Sequence, residues 1–450
     1  MSEAHPQAPR AVIVGLGRTG ASAAAHLRAR GWRVAVTDTR AQPPGLARLA
    51  ELDPGIPVRL GALDASLLGD AACVVASPGV PLTDPFFGEA RRRGLSVMGD
   101  IELFARAAAA PVVGITGTNG KSTVTTLVGR MAARAGLAVR VGGNLGEPAL
   151  DLLEPAPGAE PTRLYVLELS SFQLEATETL RLAAATVLNV SPDHLDRYAS
   201  VEEYAAAKAR IFARCDTAVI NLDDPLVVAM PHAGQRVLSF SLRASIGADY
   251  AVTFADGGAL TRRGEPLLAL SALKIKGMHN AANALAALAL GEALGLPLPV
   301  MCAELEDFPG LPHRSQWVAD VSGVTYVDDS KGTNVGATIA AVAGMTGPLV
   351  MIAGGDGKQQ DFAPLAPAFR GKVRHVVLIG RDAPALARTL EGVCAVTRCT
   401  SLPEAVRAAA RVARPGDTVL LSPACASLDM FRDYAHRGMV FAEAVKELAA

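Results

Sequence analysis

Residues 111–123, PVVGITGTNGKST, constrain the fold more than any other stretch. An apolar run reads as a buried strand, a glycine-rich turn follows, and a helix-forming segment opens at about Lys121 and runs to about 135. In Gly114-Ile115-Thr116-Gly117-Thr118-Asn119-Gly120-Lys121-Ser122-Thr123 the turn can offer backbone N–H groups to phosphates. Lys121 reaches the terminal phosphates, and a hydroxyl follows for Mg²⁺. The strict P-loop spacing asks for glycine at 115, where this chain has Ile. A plain flexible turn is the alternative. The strand before, the helix after and the single lysine among the first 207 residues favour a triphosphate site. Of 43 basic residues, 35 are Arg and eight are Lys, so Arg is the general cation of this chain. Lys121, Lys208, Lys331 and Lys358 then mark polar motifs where a compact, tunable ammonium is wanted.

A second glycine turn, Gly15-Leu16-Gly17-Arg18-Thr19-Gly20, follows a strand over 11–15 and opens a helix over 20–30. Asp38 closes the next strand, 33–38. This is the setting in which a helix N-terminus faces the phosphates of a nucleotide, although a tight strand-to-helix turn would look the same. Nothing in it specifies a nicotinamide.

The alternation of strands, helices and turns divides the chain into three α/β blocks, 1–98, 99–310 and 311–450. In the first, short strands alternate with helices, the mark of a parallel sheet covered on both faces. The second adds strand-like runs at 164–169, 185–190 and 217–221 and an Ala/Leu-rich helix over 278–296. In the third, VTYVDDS, PLVMIAGG, HVVLIG and DTVLLSP each end in a polar or glycine loop. A chain of 450 residues exceeds the roughly 250–300 that one core supports. Half the residues are apolar and the net charge is −1, which excludes general disorder and argues against a nucleic-acid partner. Arg91-Arg92-Arg93 reads as the solvated end of a helix. No run reaches the roughly 18 apolar residues of a membrane span, and MSEAHPQAPRAVIVG has no signal-peptide layout. Six scattered cysteines form no C-x-x-C pair, so a reducing cytoplasm is expected.

Three further residues carry open alternatives. Glu168 lies in the apolar run LYVLEL, where a carboxylate is costly unless paired or on metal; a solvent-facing strand end is the other reading. His194, in SPDHLDR, could be an ordinary loop histidine. Lys208, four residues after Tyr204, could be a helix-surface lysine.

Taken together, GLGRTG, VTDTR, ASPGV, GDIELF, GGNLG, LELSSFQL, NVSPDHLDR, YAAAKARIF, MHNAANALAA, GLPHR, DDSKGTN, GGDGK and LSPACASLDMF resemble the Mur ligases over nearly the whole chain. The resemblance implies a Rossmann-like N-terminal domain that binds a UDP-sugar, a central P-loop ATPase-type domain and a Rossmann-like C-terminal domain that binds the amino acid. It implies ATP-dependent addition of D-glutamate to UDP-N-acetylmuramoyl-L-alanine through an acyl phosphate, in cytoplasmic peptidoglycan precursor synthesis. A folylpolyglutamate synthase-type ligase would lack the N-terminal domain, and a dinucleotide-binding oxidoreductase would leave the ATP loop unused.

By the same resemblance, Gly117–Thr123, Asn283, Arg314 and Asp329 bind ATP, and Lys121, His194, Lys208, Lys331 and Lys358 are catalytic. Gly15–Gly20, Asp38, Thr39, Arg40, Ser77, Gly79 and Asn144 bind the UDP-sugar, and Thr333, Lys358, Ser427, Leu428 and Tyr434 bind D-glutamate. Two Mg²⁺ ions are implied, on Ser122, Glu168, His194 and Lys208, the last as a carbamate. A monomer with no membrane or nucleic-acid partner is expected. Two departures stand out: relatives often have Phe where Tyr434 stands, and a hydrophobic residue then Glu where this chain has Ser315-Gln316.

Overall fold

The computed structural model describes residues 8–153, 158, 160–275, 277–345 and 347–449, so the first seven residues of the expected UDP-sugar domain lie outside the described residues. Three sheets lie along the chain. The first holds β1 (Arg10–Val14), β2 (Arg33–Asp38), β3 (Val58–Leu60), β4 (Cys73–Ala76) and β5 (Ser96–Gly99), all parallel, in the order β3-β2-β1-β4-β5. The two-residue period of β1 explains the covering layers. Ala11 and Ile13 pack toward the helix Arg18–Ala29, while Val12 and Val14 pack toward Phe86 and Phe87 of the helix Pro85–Arg92. The core on the Ile13 side continues into Tyr165, Leu167 and Leu182 of the next sheet, so the first two units share apolar packing. Ser22 Oγ donates to Asp151 at 2.6 Å and Arg48 pairs with the same carboxylate at 3.0 Å across that seam.

The second sheet has nine strands: β6 (Val112–Thr116), β7 (Val139–Gly143), β8 (Leu164–Glu168), β9 (Leu182–Val187), β10 (Cys215–Asn221), β11 (Arg236–Ser241), β12 (Tyr250–Thr253), β13 (Ala259–Arg262) and β14 (Glu265–Ala269). Their order is β14-β13-β12-β11-β10-β9-β6-β8-β7. β9 ends three residues earlier than the apolar run suggests. Leu188 still bonds Thr116 through its backbone, and Asn189 and Ser191 then turn away to hold the loop after β6. β13 pairs antiparallel with β12 and β14, an extension the strand–helix alternation does not announce. The helix Met278–Ala293 explains its own Ala/Leu composition: from Ala284 to Leu290 every residue is buried, packed against the helix Lys121–Arg134.

The third sheet, β15 (Gln316–Val321), β16 (Val324–Asp328), β17 (Leu349–Gly354), β18 (Val373–Ile379), β19 (Ala395–Arg398) and β20 (Thr418–Leu421), has the order β15-β16-β20-β17-β18-β19. Only its β15–β16 pair is antiparallel. In all three sheets the loops that carry polar motifs leave the C-terminal ends of parallel strands, where α/β sheets form their clefts.

Candidate active site

The loop after β6 is held by the loop after β9. Asn189 accepts the Asn119 N–H at 2.8 Å and donates back to its carbonyl at 3.1 Å, and Ser191 N–H donates to Thr118 Oγ1 at 3.0 Å. Gly120 caps the helix Lys121–Arg134 at φ +84, and a Cβ there would overlap Asn283 Oδ1. Lys121 Nζ folds back onto the carbonyls of Gly117 (2.9 Å) and Thr118 (2.8 Å). Lys208 Nζ donates to the same Gly117 carbonyl at 2.9 Å. Two lysine side chains thus meet at one carbonyl. Burial, then the neighbouring Lys121 charge, push Lys208 well below the usual lysine range; burial also lowers Lys121. Lys208 is 1% exposed, so it is not a helix-surface residue, and its ammonium lies 4.3 Å from the centre of the Tyr204 ring.

Glu168 is buried at the end of β8 and both its oxygens are used. Oε2 accepts Ser122 Oγ–H at 2.6 Å and Oε1 accepts Asn144 Nδ2–H at 2.7 Å. Arg314, from the third unit, donates to Ser122 Oγ at 2.6 Å. Asn144 also lines a pocket of about 490 Å³ with Gly15, Gly17, Arg18, Thr19, Asp38, Thr39, Arg40, Ser77 and Gly79. One hydrogen-bonded chain therefore runs from that pocket through Glu168 and Ser122 to Arg314.

In the same pocket, Leu16 is fully buried in the core, and Gly20 is packed so closely on the Gly15 carbonyl that a side chain would not fit. Neither lines the opening. Leu16 N–H donates to Asp38 Oδ2 at 2.6 Å, and Arg40 grips both Asp38 oxygens at 2.9 and 2.6 Å. Burial alone would raise the Asp38 carboxyl, but Arg40 and two backbone N–H groups outweigh it and hold it at about 2.

A second pocket, about 300 Å³, lies between the central and third units and is lined by Asn119, Gly120, Thr123, Asn283, Arg314, Asp329 and Lys331, among others. Burial lifts Asp329 to about 7, although it accepts Ser422 Oγ–H at 2.7 Å and Ser315 N–H at 3.0 Å. Burial and then the Arg314 and Lys121 charges bring Lys331 down to about 8. Its ammonium sits 4.1 Å from the Tyr434 ring centre. Thr333 follows on the same loop. Across the cleft Lys358 Nζ stands 3.9 Å from Asp193 Oδ1. Ser427 is buried, while Leu428 is 72% exposed. His194, at φ +55, stacks edge-on against Phe172 with centroids 5.0 Å apart, and burial lowers its imidazole.

The donor set suits Mg²⁺ shared with phosphate. Ser122 and Glu168 supply oxygens, and the ion ordinarily takes one or two protein oxygens together with phosphate and water. Among the described residues no three His, Cys, Asp or Glu side chains form a closed cage. Lys208 suits a cation only if its amine loses its charge.

Three contributors escaped the reading of the sequence. Asp193 and Asn334 join across the cleft at 3.2 Å, and Asn334 looks like a plain helix cap because it also accepts Ala337 N–H. Arg437, fully buried, donates to Ser330 Oγ (2.9 Å), Ser330 O (2.7 Å) and Cys425 O (3.1 Å). It braces the loop of Lys331 against that of Ser427. Gln316, the departure noted above, accepts the His313 N–H at 2.9 Å and so pins the turn that carries Arg314.

Sequence models of the Mur ligase MurD-like N-terminal domain, the Mur ligase middle domain and the Mur ligase glutamate ligase domain match residues 9–99, 115–291 and 313–425. The UDP-N-acetylmuramoylalanine–D-glutamate ligase of Methylococcus capsulatus is 51% identical over 98% of this chain and 95% of its own. That of Pseudomonas aeruginosa is 49% identical over 97% and 98%. Among solved structures, the UDP-N-acetylmuramate–alanine ligase MurC of Thermotoga maritima has a TM-score of 0.61 at 21% identity, covering 97% of this chain and 99% of that one. The MurF ligase of the same organism, in complex with ADP, has a TM-score of 0.61 at 17% identity, covering 94% and 97%. With half its residues identical to such relatives along almost its full length, and all three domain models matched in order, the chain belongs to the Mur ligase family.

Proposed function

We infer that this protein is an ATP-dependent ligase that joins D-glutamate to UDP-N-acetylmuramoyl-L-alanine in peptidoglycan precursor synthesis. The observation that carries this is the chain Asn144–Glu168–Ser122–Arg314. It links a nucleotide-sugar pocket, a triphosphate loop and a third unit at one point, as a reaction between three substrates requires. The Ala carboxylate attacks the γ-phosphorus of ATP and ADP leaves. The amine of D-glutamate then attacks the acyl-phosphate carbonyl, loses a proton, and inorganic phosphate leaves.

The chain's part is to position these groups and to balance charge. Lys121 swings from its carbonyl partners to the phosphates, and Arg314 approaches the same phosphates from the opposite wall. Lys331 and Lys358 face the reacting carboxyl groups. Thr333, Ser427, Leu428 and Tyr434 hold D-glutamate on the third unit, and the Gly15–Gly20 turn with Asp38, Thr39 and Arg40 holds the UDP end. Two Mg²⁺ ions would supply charge neutralisation at the transferring phosphoryl group, held by Ser122 and Glu168 and by His194 and Lys208. Lys208 would act there as a carbamate: burial favours its neutral amine, which adds to CO₂, gives up a proton and becomes an anionic oxygen ligand.

The working units are 1–98, 99–310 and 311–450, with a hinge at 307–312, and closure keeps water from the acyl phosphate. We place the enzyme in the cytoplasm as a monomer without a nucleic-acid or membrane partner; among the described residues no helix is long and apolar enough to cross a membrane. The test is phosphate release from ATP with the UDP-sugar and each candidate amino acid. Release that requires both the UDP-sugar and D-glutamate is expected. Equal release with either one omitted overturns the assignment.

A further inference from the structure

Arg197 occupies a place that neither substrate pocket explains. Its side chain is 12% exposed and reaches in three directions at once. Nη1 donates to the Pro78 carbonyl at 2.8 Å, Nη2 donates to Glu175 Oε2 at 2.9 Å, and the guanidinium lies 3.9 Å above the Phe172 ring centre. Pro78 belongs to the rim of the nucleotide-sugar pocket, and its neighbour Ser77 donates to the Gly15 carbonyl at 2.7 Å. The guanidinium is therefore fastened to the glycine turn of the first unit through a two-residue relay.

Its other end reaches His194. The Arg197 backbone N–H donates to the His194 carbonyl at 2.9 Å, and Tyr198 N–H donates to it at 3.1 Å. Tyr198 OH in turn donates to the second oxygen of Glu175. Phe172, the platform for the guanidinium, is also the ring against which His194 stands edge-on. His194 sits at φ +55, in the left-handed region that few non-glycine residues adopt. The Arg197 side chain thus holds the pocket rim and the Phe172 ring that stands against His194, while its backbone N–H, with that of Tyr198, holds the His194 carbonyl.

We propose that Arg197 is a positioning residue that couples occupancy of the UDP-sugar pocket to the geometry of His194, so that the sugar nucleotide prepares the nucleotide–metal site. Lysine cannot substitute. The site uses two N–H vectors pointing apart and a flat face on an aromatic ring, which a guanidinium has and an ammonium lacks. The proposal rests on the functional assignment above, since it takes the first pocket for the UDP-sugar and His194 for a metal ligand.

Calorimetric titration of the full chain with Mg²⁺ and a non-hydrolysable ATP analogue, with and without saturating UDP-N-acetylmuramoyl-L-alanine, tests it. In the wild type the UDP-sugar should tighten analogue binding by roughly 5- to 150-fold, the usual span of coupling between sites. In Arg197→Lys that factor should fall to about 2 or less, while each ligand alone still binds. A residue that merely glues two domains would lower the thermal midpoint and leave the factor unchanged. Phe172→Leu, which removes the shared platform and keeps the charge, should also lose the coupling and is read if Arg197→Lys does not fold. Wild-type coupling retained in whichever variant folds, or absent from the wild type, overturns the proposal. A wild type that binds neither ligand overturns the functional assignment instead.

Discussion

Gly120 offers the sharpest test of the triphosphate site. Its φ of +84 costs an L-residue about 1–2 kcal/mol. A methyl at Cβ would also overlap Asn283 Oδ1, so Asn283 must swing aside and give up its 3.2 Å bond to Asn280. Losing that bond adds about 0.5–1.5 kcal/mol. The variant loop relieves this strain, roughly 2–4 kcal/mol in all, by leaving its present shape when empty, and must regain that shape around phosphates, so nucleotide affinity should fall by about 30- to 1,000-fold. Gly136 supplies the control. It follows the same helix at the same φ of +84, but nothing lies near its Cβ. Gly136→Ala should therefore cost only the backbone term, read in stability and not in binding. Calorimetry with Mg²⁺ and a non-hydrolysable ATP analogue gives the affinities, and thermal unfolding gives the stabilities. The UDP-sugar affinity should stay unchanged in both variants. Nucleotide affinity within about threefold of wild type in Gly120→Ala would refute the placement of phosphates against this turn.

Four more outcomes are expected. Lys121→Ala should lower kcat by about 100- to 1,000-fold with the fold intact by circular dichroism. Lys208→Arg should be inactive, because a guanidinium stays cationic and forms no carbamate, and wild-type turnover should fall when CO₂ is stripped from the buffer; CO₂-independent turnover speaks against the carbamate. The proton on Asp329 is held up to about 7 in the folded state, against 3.8 for an unperturbed carboxyl, so the folded chain binds it more tightly than the unfolded chain. The wild type should thus lose stability relative to Asp329→Asn as pH rises from about 4 to about 7, measured by urea denaturation without ligands. Finally, small-angle scattering should show a smaller radius of gyration with ATP, Mg²⁺ and UDP-sugar than without ligands, and a constant radius would mean that the third unit is fixed.

What could be read from the sequence was chemistry carried by neighbours along the chain. Lys121 announces itself by three flanking glycines and its isolation among arginines, and Glu168 by its misfit in an apolar strand. Contacts between distant segments left no such mark: Arg314 and Ser122 are 192 positions apart, and Asn334 and Asp193 are 141 apart. Arg437 was hidden by composition, because in a chain that uses arginine everywhere a helical arginine looks like surface. β9 ends earlier than the sequence suggests because Leu188 and Val190 carry the apolar pattern past Val187, and only the hydrogen bonds of Asn189 and Ser191 to the loop after β6 fix where the strand stops. The antiparallel extension through β13 has short strands and ordinary turns, so helix–strand alternation passed over it.

The buried helix Met278–Ala293 sets the order in which the protein can become whole. Val113 and Ile115 of β6, with Val124, Leu127 and Val128 of the helix that follows, share one apolar core with that late segment. About 160 residues separate β6 from that helix, which at about 5–20 residues per second is roughly 8–32 s of synthesis. For that interval the nascent chain carries β6 and the helix Lys121–Arg134 with their shared core unfinished, after the first unit has already emerged. Folding lesions and chaperone dependence should therefore concentrate in the central segment, and substitutions that make Met278–Ala293 less apolar should lower soluble yield long before they touch a substrate.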